Sequence, residues 1–240
     1  MLQPGDLIRE GKSKRIYATN DPDLAIEYFK DDAIAYHGLK RGRILGKGEV
    51  NNSISKKFFS LLSEQGVPNH YVEAVDARSS LVRRCEMLPI GIKVRNRAAG
   101  SLAERLGITE GRPLQPPVVE YALRGSESED PLLNMTHILA LRIATREEMD
   151  LATELALRVN RIISRYMREI GIEVVDFKLE FGRFHGQILV ADEISPDVAR
   201  FWDARTHEPL DFDRFRNDMG NTEQAYKELL HRMMGTEEDA

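Results

Sequence analysis

In the segment EVVDFKLEFG the side chains alternate strictly, with Val175, Phe177, Leu179 and Phe181 on one face and Asp176, Lys178 and Glu180 on the other. The first face predicts core; the second carries three charges in a row. On a lone strand such a row reads equally well as the solvated side of a sheet. The next segment, QILVADEIS, shifts the balance, because a hairpin closing around residues 183–185 carries Asp192 back toward that row. Carboxylates gathered this way raise one another's proton affinity unless a cation sits among them. Hard oxygen donors so arranged suit Mg²⁺ carrying nucleotide phosphates. A glycosidase-like acid/base pair is the competing chemistry, and it leaves the interleaved lysine unexplained.

Three further segments carry anion-binding chemistry. Gly11-Lys12-Ser13-Lys14 is a Gly-led turn entering a strand, where amides, Lys12 and Lys14 can approach a polyphosphate. Its spacing is not that of a P-loop, and taken alone it reads as an exposed basic turn. In VRNRAAGSLAERLG, residues 94–107, Arg95 and Arg97 share a face and the small residues 98–100 remove bulk beside them. Ser101 with Glu104 predicts a capping box opening a short helix that Gly107 ends. A helix N-terminus beside guanidinium groups describes an anion pocket. The alternative is that the arginines pair with nearby acids while the small residues only allow close packing. In DEISPDVARFWD, Ser195 as N-cap and Pro196 at the first helical position predict a helix on which Asp197 and Arg200 are neighbours. A structural ion pair is the plainer reading of that couple, and Trp202, the only tryptophan, reads as core.

The elements that must position these residues follow from periodicity and turn chemistry. Strands are predicted at 14–18 and 24–30, on either side of the Asn20-Asp21-Pro22-Asp23 turn. A helix over 50–65 has Ile54, Phe58, Leu61 and Leu62 on its apolar face, Asn51, Asn52 and Ser53 as caps, and Gly66 as its stop. Strands at 70–75, 80–88 and 92–97 follow, with Pro89-Ile90-Gly91 between the last two and a hinge at 85–91. Residues 111–134 read as a long polar loop that lines the site. Thr145 with Glu148 opens the clearest helix, which Gly171 ends, and further helices are predicted at 196–204 and 222–234. Strands, a helix, more strands and more helices, without regular alternation, indicate an α+β fold rather than a doubly wound sheet.

The whole chain bounds these readings. With 240 residues, a net charge of −5 and 42% hydrophobic residues, it is suited to one large or two small globular domains. No apolar run has the length of a signal sequence or membrane span, so a cytoplasmic protein without a membrane partner is expected. The single cysteine, Cys85, excludes a disulfide framework or cysteine metal site within one chain and reads as a buried, inert thiol. Positive and negative residues are interspersed up to a short acidic tail at 237–239, which argues against a nucleic-acid surface. An anion is therefore expected to be held by a few placed cations.

The motifs GKSKRIY, GKGEVNNSIS, VRNRAAGSLAERLG, DFKLEFG and DEISPDVARFWD stand in one order and cover the chain nearly end to end. Together they resemble the phosphoribosylaminoimidazole-succinocarboxamide synthases, or SAICAR synthetases. The resemblance implies an α+β fold of two lobes, related to ATP-grasp and kinase-like architectures, with antiparallel sheets and packed helices. It implies a nucleotide-binding lobe over 1–88 and a substrate- and metal-binding lobe over 89–240. The implied activity is a ligase of purine biosynthesis that uses ATP and Mg²⁺ to join L-aspartate to carboxyaminoimidazole ribotide (CAIR), giving SAICAR, ADP and phosphate. Carried over by position, Lys12 and Lys14 meet ATP phosphates, Glu86 and Met87 lie beside the adenine, and Glu180 and Asp192 bind Mg²⁺. Lys178 and Asp176 are the implied catalytic pair; Arg95, Ser101, Asp197 and Arg200 hold the ribotide. The segment YHGLKRG departs from the commoner pattern, in which Asn or Asp stands at the place of His37. The segment SESEDPLLN lacks the extra residues some members have, and Asp130 and His137 are its substrate-side candidates. A small-molecule kinase would share the Mg·ATP features, and a non-catalytic nucleotide-binding module is the other alternative. A homodimer or higher homo-oligomer is implied.

Overall fold

Alternating segments close into antiparallel sheets, and the two long amphipathic segments become helices laid against them. The computed structural model describes residues 4–125 and 130–235, apart from the side chain of His37. In chain order, strands β1 (Leu7–Glu10), β2 (Lys14–Ala18) and β3 (Leu24–Phe29) lead to a two-stranded ribbon of β4 (Asp32–Ala35) and β5 (Lys40–Arg43). Helix α1 (Lys47–Glu64) follows, then β6 (Tyr71–Ala74) and β7 (Ser79–Arg83), which complete a five-stranded sheet ordered β1-β2-β3-β7-β6. The remainder comprises β8 (Glu86–Arg97), α2 (Ser101–Leu106), β9 (Pro113–Leu123), β10 (Leu132–Leu133), α3 (Met135–Ala140) and α4 (Arg146–Glu169). After these come β11 (Ile172–Phe184), β12 (Gln187–Ala191), β13 (Ala199–Asp203), α5 (Asp213–Arg216) and α6 (Thr222–Met234).

The second sheet runs β10-β9-β8-β11-β12, and β13 also pairs with β11. Strand β11 has β8 along one edge. Its other edge is shared: β13 pairs with residues 172–177 and β12 with residues 180–184. Between these two partners the chain from 192 to 198 leaves the sheet and returns, and the Lys178 N–H donates to Val198 O. That split places the DEISPD segment across the middle of the charged strand.

The core lies between this sheet and the helices. Phe177, Leu179 and Phe181 of β11 meet Ile54, Phe58 and Leu62 of α1 and Met149, Ala156, Val159 and Ile163 of α4, all fully buried. Each of these except Ala156 contributes about 1.5–3 kcal/mol of transfer free energy. Val175 departs from the predicted alternation. A register irregularity between Val174 and Asp176 buries both valines, Val174 in the main core and Val175 with Ala99 and Trp202. Thr145 and Glu148 form the predicted capping box of α4, and Gly171 takes the left-handed conformation beyond its end.

Several expectations are corrected. Helix α1 starts at Lys47, from a left-handed Gly46, and the predicted caps Asn51 and Asn52 lie buried inside it. Asn52 holds the 76–80 turn instead, donating to Asp76 O and Ala77 O and accepting from Ser80 Oγ. The strand interruption falls at Arg84 and Cys85, and β8 runs unbroken through Pro89-Ile90-Gly91. The loop predicted over 111–134 contains the eleven-residue strand β9, whose prolines disguised it. Residues 126–129 of the SESEDPLLN segment, and the acidic tail, lie outside the described residues. The helix predicted over 196–204 is absent: one turn forms after Ser195, and then Ala199 and Phe201 turn inward on β13. Here the open edge of β11 outweighs the local N-cap and proline signals. Ser101 is the first residue of α2 rather than its cap; the cap position belongs to Gly100 and carries no side-chain hydrogen bond. Among the described residues no helix is long and apolar enough to cross a membrane.

Candidate functional site

The charged face of β11 gathers two centres. At its N-terminal half, Asp176 stands in register between Arg95 on β8 and Arg200 on β13. Arg95 Nη1 donates to Asp176 Oδ2 at 2.8 Å, and Arg200 Nη1 donates to the same carboxylate at 2.9 and 3.1 Å. Arg95 also donates through Nε to Glu120 Oε2 at 2.6 Å, and its Nη2 lies 3.4 Å from Ser101 Oγ. Arg200 Nε donates to Asp213 Oδ2 at 2.6 Å. Arg105 pairs with Glu120 at one end and Arg216 with Asp213 at the other. The result is an unbroken alternation: Arg105, Glu120, Arg95, Asp176, Arg200, Asp213, Arg216. Within this series four guanidinium groups stand against three carboxylates, one positive charge in excess, while Asp211 and Glu110 also lie near Arg200.

Gly100 is what allows Arg200 to reach this place. A Cβ at position 100 would stand 2.5 Å from Arg200 Nη2, and the φ of +50° already disfavours a side chain. Ser101, the residue after Gly100, is exposed at the start of α2. Arg97 has separate employment, donating to Gly111 O and Glu173.

At the other half of β11 lie Lys178 and Glu180. Lys178 Nζ is 3.1 Å from Glu180 Oε1, and Arg124 Nη2 is 2.7 Å from Glu180 Oε2. The lysine stem lies over Gly91 of β8, where a Cβ would meet its Cδ at 3.0 Å. Across from it, Lys14 Nζ donates to Asp192 Oδ1 at 2.6 Å and lies 3.7 Å from Glu27 and 3.8 Å from Glu193. Ser13 Oγ donates to Glu193 Oε1 at 3.2 Å, which ties the glycine-led turn to the segment after β12. Lys12 is exposed in the same turn.

Burial sets the proton affinities here, and charge partners correct it. Burial pushes Glu27 up to about 8, with Lys14 only partly opposing. Burial would also raise Asp192, but Lys14, Lys178 and Arg124 bring it down to about 2. Glu180 is raised by burial and by Asp192 against the pull of Lys178 and Arg124. Lys14 is disfavoured by burial, yet Asp192, Glu27 and Glu193 hold it well above the ordinary lysine range. Asp192 is therefore a carboxylate at neutral pH, as a metal ligand must be.

Glu86 and Met87 open β8, opposite Arg183 and Gly182. Glu86 is exposed and pairs with Arg183 at 2.8 Å; a Cβ at Gly182 would collide with Cys85. Cys85 is half-buried rather than the buried thiol expected, and burial pushes it up to about 11. Asp197 and Arg200 are not the predicted neighbours: Asp197 accepts from Lys47 and Tyr226, and Arg200 turns to Asp176. His137 caps α3, its Nδ1 accepting the Asn134 N–H. Lys47, Arg124, Glu193, Glu120 and Asp213 were not singled out from the sequence. Lys47 stood within the GKGEVNNSIS motif and Glu193 within DEISPDVARFWD; the other three carry no local signal.

The sequence profile described as SAICAR synthetase matches residues 7–233, nearly the whole chain. The chain belongs to the SAICAR synthetase family. Its relatives include the phosphoribosylaminoimidazole-succinocarboxamide synthase of Coprothermobacter proteolyticus, 50% identical over 229 residues, which cover 95% of this chain and 97% of the relative. That of Brevibacillus brevis is 49% identical over 98% of each chain. Among solved SAICAR synthetases, one in complex with ADP superposes with a TM-score of 0.92 at 43% identity, covering 95% of this chain and 97% of the other. The Ehrlichia chaffeensis synthase superposes with a TM-score of 0.93 at 37% identity, covering 95% and 98%. The α+β fold is thus the SAICAR synthetase fold.

Among the described residues, no three carboxylate, imidazole or thiol groups stand together as a ready-made metal cage. Mg²⁺ is commonly held by one or two carboxylates, with water and substrate phosphates filling its shell. The ionised Asp192 and the oxygen-only Glu180 beside it fit such a site.

Proposed function

We propose that the chain joins L-aspartate to carboxyaminoimidazole ribotide with cleavage of ATP, giving SAICAR, ADP and phosphate, by way of an acyl phosphate. Family membership over residues 7–233 carries the ligase activity. The observation that carries the site is the pair of charged centres on one strand. From Asp176 to Glu180 is about 13 Å at 3.3 Å per residue. A cationic centre at one end and a mixed lysine–carboxylate centre at the other suit a substrate with a phosphate at one end and a reacting carboxylate at the other.

In this reading Arg200, Arg95 and Ser101 hold the ribotide phosphate, and Asp176 keeps the two arginines aligned. Asp197 contacts the ribotide between the two centres. Lys14 and Lys12 receive the ATP phosphates in a lobe spanning 1–88, with the adenine beside Glu86 and Met87; the lobe over 89–240 holds the rest. Glu180 and Asp192 would hold Mg²⁺, which when bound neutralises phosphate charge. Lys178 lies over the reacting carboxylate and offsets its repulsion from the γ-phosphate. A carboxylate oxygen attacks the γ-phosphorus and the bond to the bridging oxygen breaks, releasing ADP. The neutral aspartate amine then attacks the acyl carbon, the C–O bond to phosphate breaks, and the nitrogen sheds its proton. The protein's share is positioning and charge neutralisation. The reading extends to a cytoplasmic enzyme, since ATP is its substrate, and to a homodimer or larger homo-oligomer, as is common in the family.

ADP release tests this with each substrate omitted in turn. Sustained release should require both ribotide and aspartate; steady release without aspartate, with a stable phosphoester as product, would establish a kinase instead. With heavy oxygen in the ribotide carboxylate, one label per turnover should be found in the phosphate, and unlabelled phosphate would exclude the acyl phosphate. Glu180→Ala and Asp192→Ala should fold and nearly cease turnover. An active Asp192→Ala protein would sink the metal assignment.

A further inference from the structure

One fully buried lysine has no task in the scheme above. The Lys47 side chain, at the first position of α1, is 0% exposed, and its Nζ donates to Asp197 Oδ2 at 2.5 Å. Tyr226 of α6, itself buried, donates its hydroxyl to Asp197 Oδ1 at 2.7 Å. Each carboxylate oxygen thus receives one donor from the interior, while 11% of the Asp197 side chain remains exposed. A carboxylate accepts at about four lone-pair positions, so each oxygen keeps one for a ligand.

Stability alone does not account for this arrangement. Desolvating a lysine and an aspartate costs several kcal/mol, and apolar residues of similar volume commonly serve a fold as well or better. Orientation does account for it. The Asp197 backbone is held by its own N–H donating to Ser195 Oγ and by the Ala199 N–H donating to Ser195 O. Lys47 is fixed in turn by Gly48, whose missing side chain lets α1 press against Phe29 O at the end of β3, and by the Gly48 N–H donating to Asp31 Oδ1 at 3.0 Å. Three elements therefore converge on one carboxylate: α1, α6 and the turn before β13.

We propose that Lys47 and Tyr226 are positioning residues that hold the Asp197 carboxylate as a fixed acceptor for the donor groups of the ribotide. The inference rests on the assignment of Asp197 as a ribotide contact, and its test separates the two. Tyr226→Phe removes one buried hydroxyl and should raise the KM for ribotide about three- to tenfold, the range of one lost hydrogen bond, while the KM for ATP stays unchanged. Lys47→Gln should act in the same direction and more strongly. In an Asp197→Asn background the Tyr226→Phe effect should shrink, because the two changes address one interaction. An unchanged ribotide KM in Asp197→Asn overturns the assignment and the inference together. A raised value in Asp197→Asn beside wild-type values in Tyr226→Phe and Lys47→Gln overturns the inference alone. Equal changes in the KM for both substrates, following the loss of thermal stability, would reduce the pair to a structural role. Should Lys47→Gln fail to fold, Tyr226→Phe carries the test, since its ring still fills the same space.

Discussion

Arg95 and Arg97 leave the same face of one strand, yet the first is 2% exposed with its donors on Glu120 and Asp176, while the second turns to Gly111 O and Glu173. The Arg200 guanidinium lies against Gly100, the residue before the exposed Ser101. Arg200→Ala should therefore weaken ribotide binding by about 1.5–3 kcal/mol, roughly 10- to 150-fold, the range of one charge-assisted contact. Arg97→Ala should leave that affinity unchanged. Titration calorimetry with the ribotide measures both, and equal losses would remove the distinction. The types and alternation of these residues were legible in the sequence because a strand fixes which side chains share a face. Their partners were not, since Glu120, Asp213 and Arg124 reach the site only through pairings between distant strands and turns. Nothing local distinguishes Asp213 from any other acid in LDFDRFR.

Among the elements, the long helix α4 was legible end to end, because its capping box, apolar stripe and terminal glycine agree. Strand β13 was not. Its sequence carries a sound helix-start signal, and the edge left open by β11 decides otherwise. The consequence for the site is large, because on a helix Asp197 and Arg200 would have paired, whereas on the strand they serve different centres. Gly100 shows how an element's end shapes a pocket. Gly100→Ala should displace the Arg200 guanidinium and strain the start of α2, raising the KM for ribotide while leaving the KM for ATP unchanged. Steady-state kinetics measures this, and an unaltered ribotide KM would show that Arg200 has room to yield.

Across the whole molecule, α1 joins the two sheets: its apolar face enters the core under β11, and its first turn presses on β3. Asp31 clamps that turn, accepting from Gly48 N–H at 3.0 Å and from Arg78 Nη1 at 2.7 Å. Burial would raise this carboxyl, but Arg78 and the Gly48 N–H bring it down to about 2. A carboxyl with a lowered folded-state value contributes stability that is complete above its unfolded value near 4 and is lost as the pH falls through 2. Asp31→Asn should thus melt below the wild type at neutral pH, with the gap in Tm narrowing between pH 4 and pH 2. A gap independent of pH would refute the clamp. The alternating series from Arg105 to Arg216 has a different kind of reach, since it runs through α2, β9, β8, β11, β13 and α5. Its excess charge belongs to no single member: deleting an arginine leaves the series neutral, and deleting an acid doubles the excess. Sequence drift along it should accordingly be epistatic, so that an exchange accepted in one relative is accepted here only when its neighbours in the series change with it.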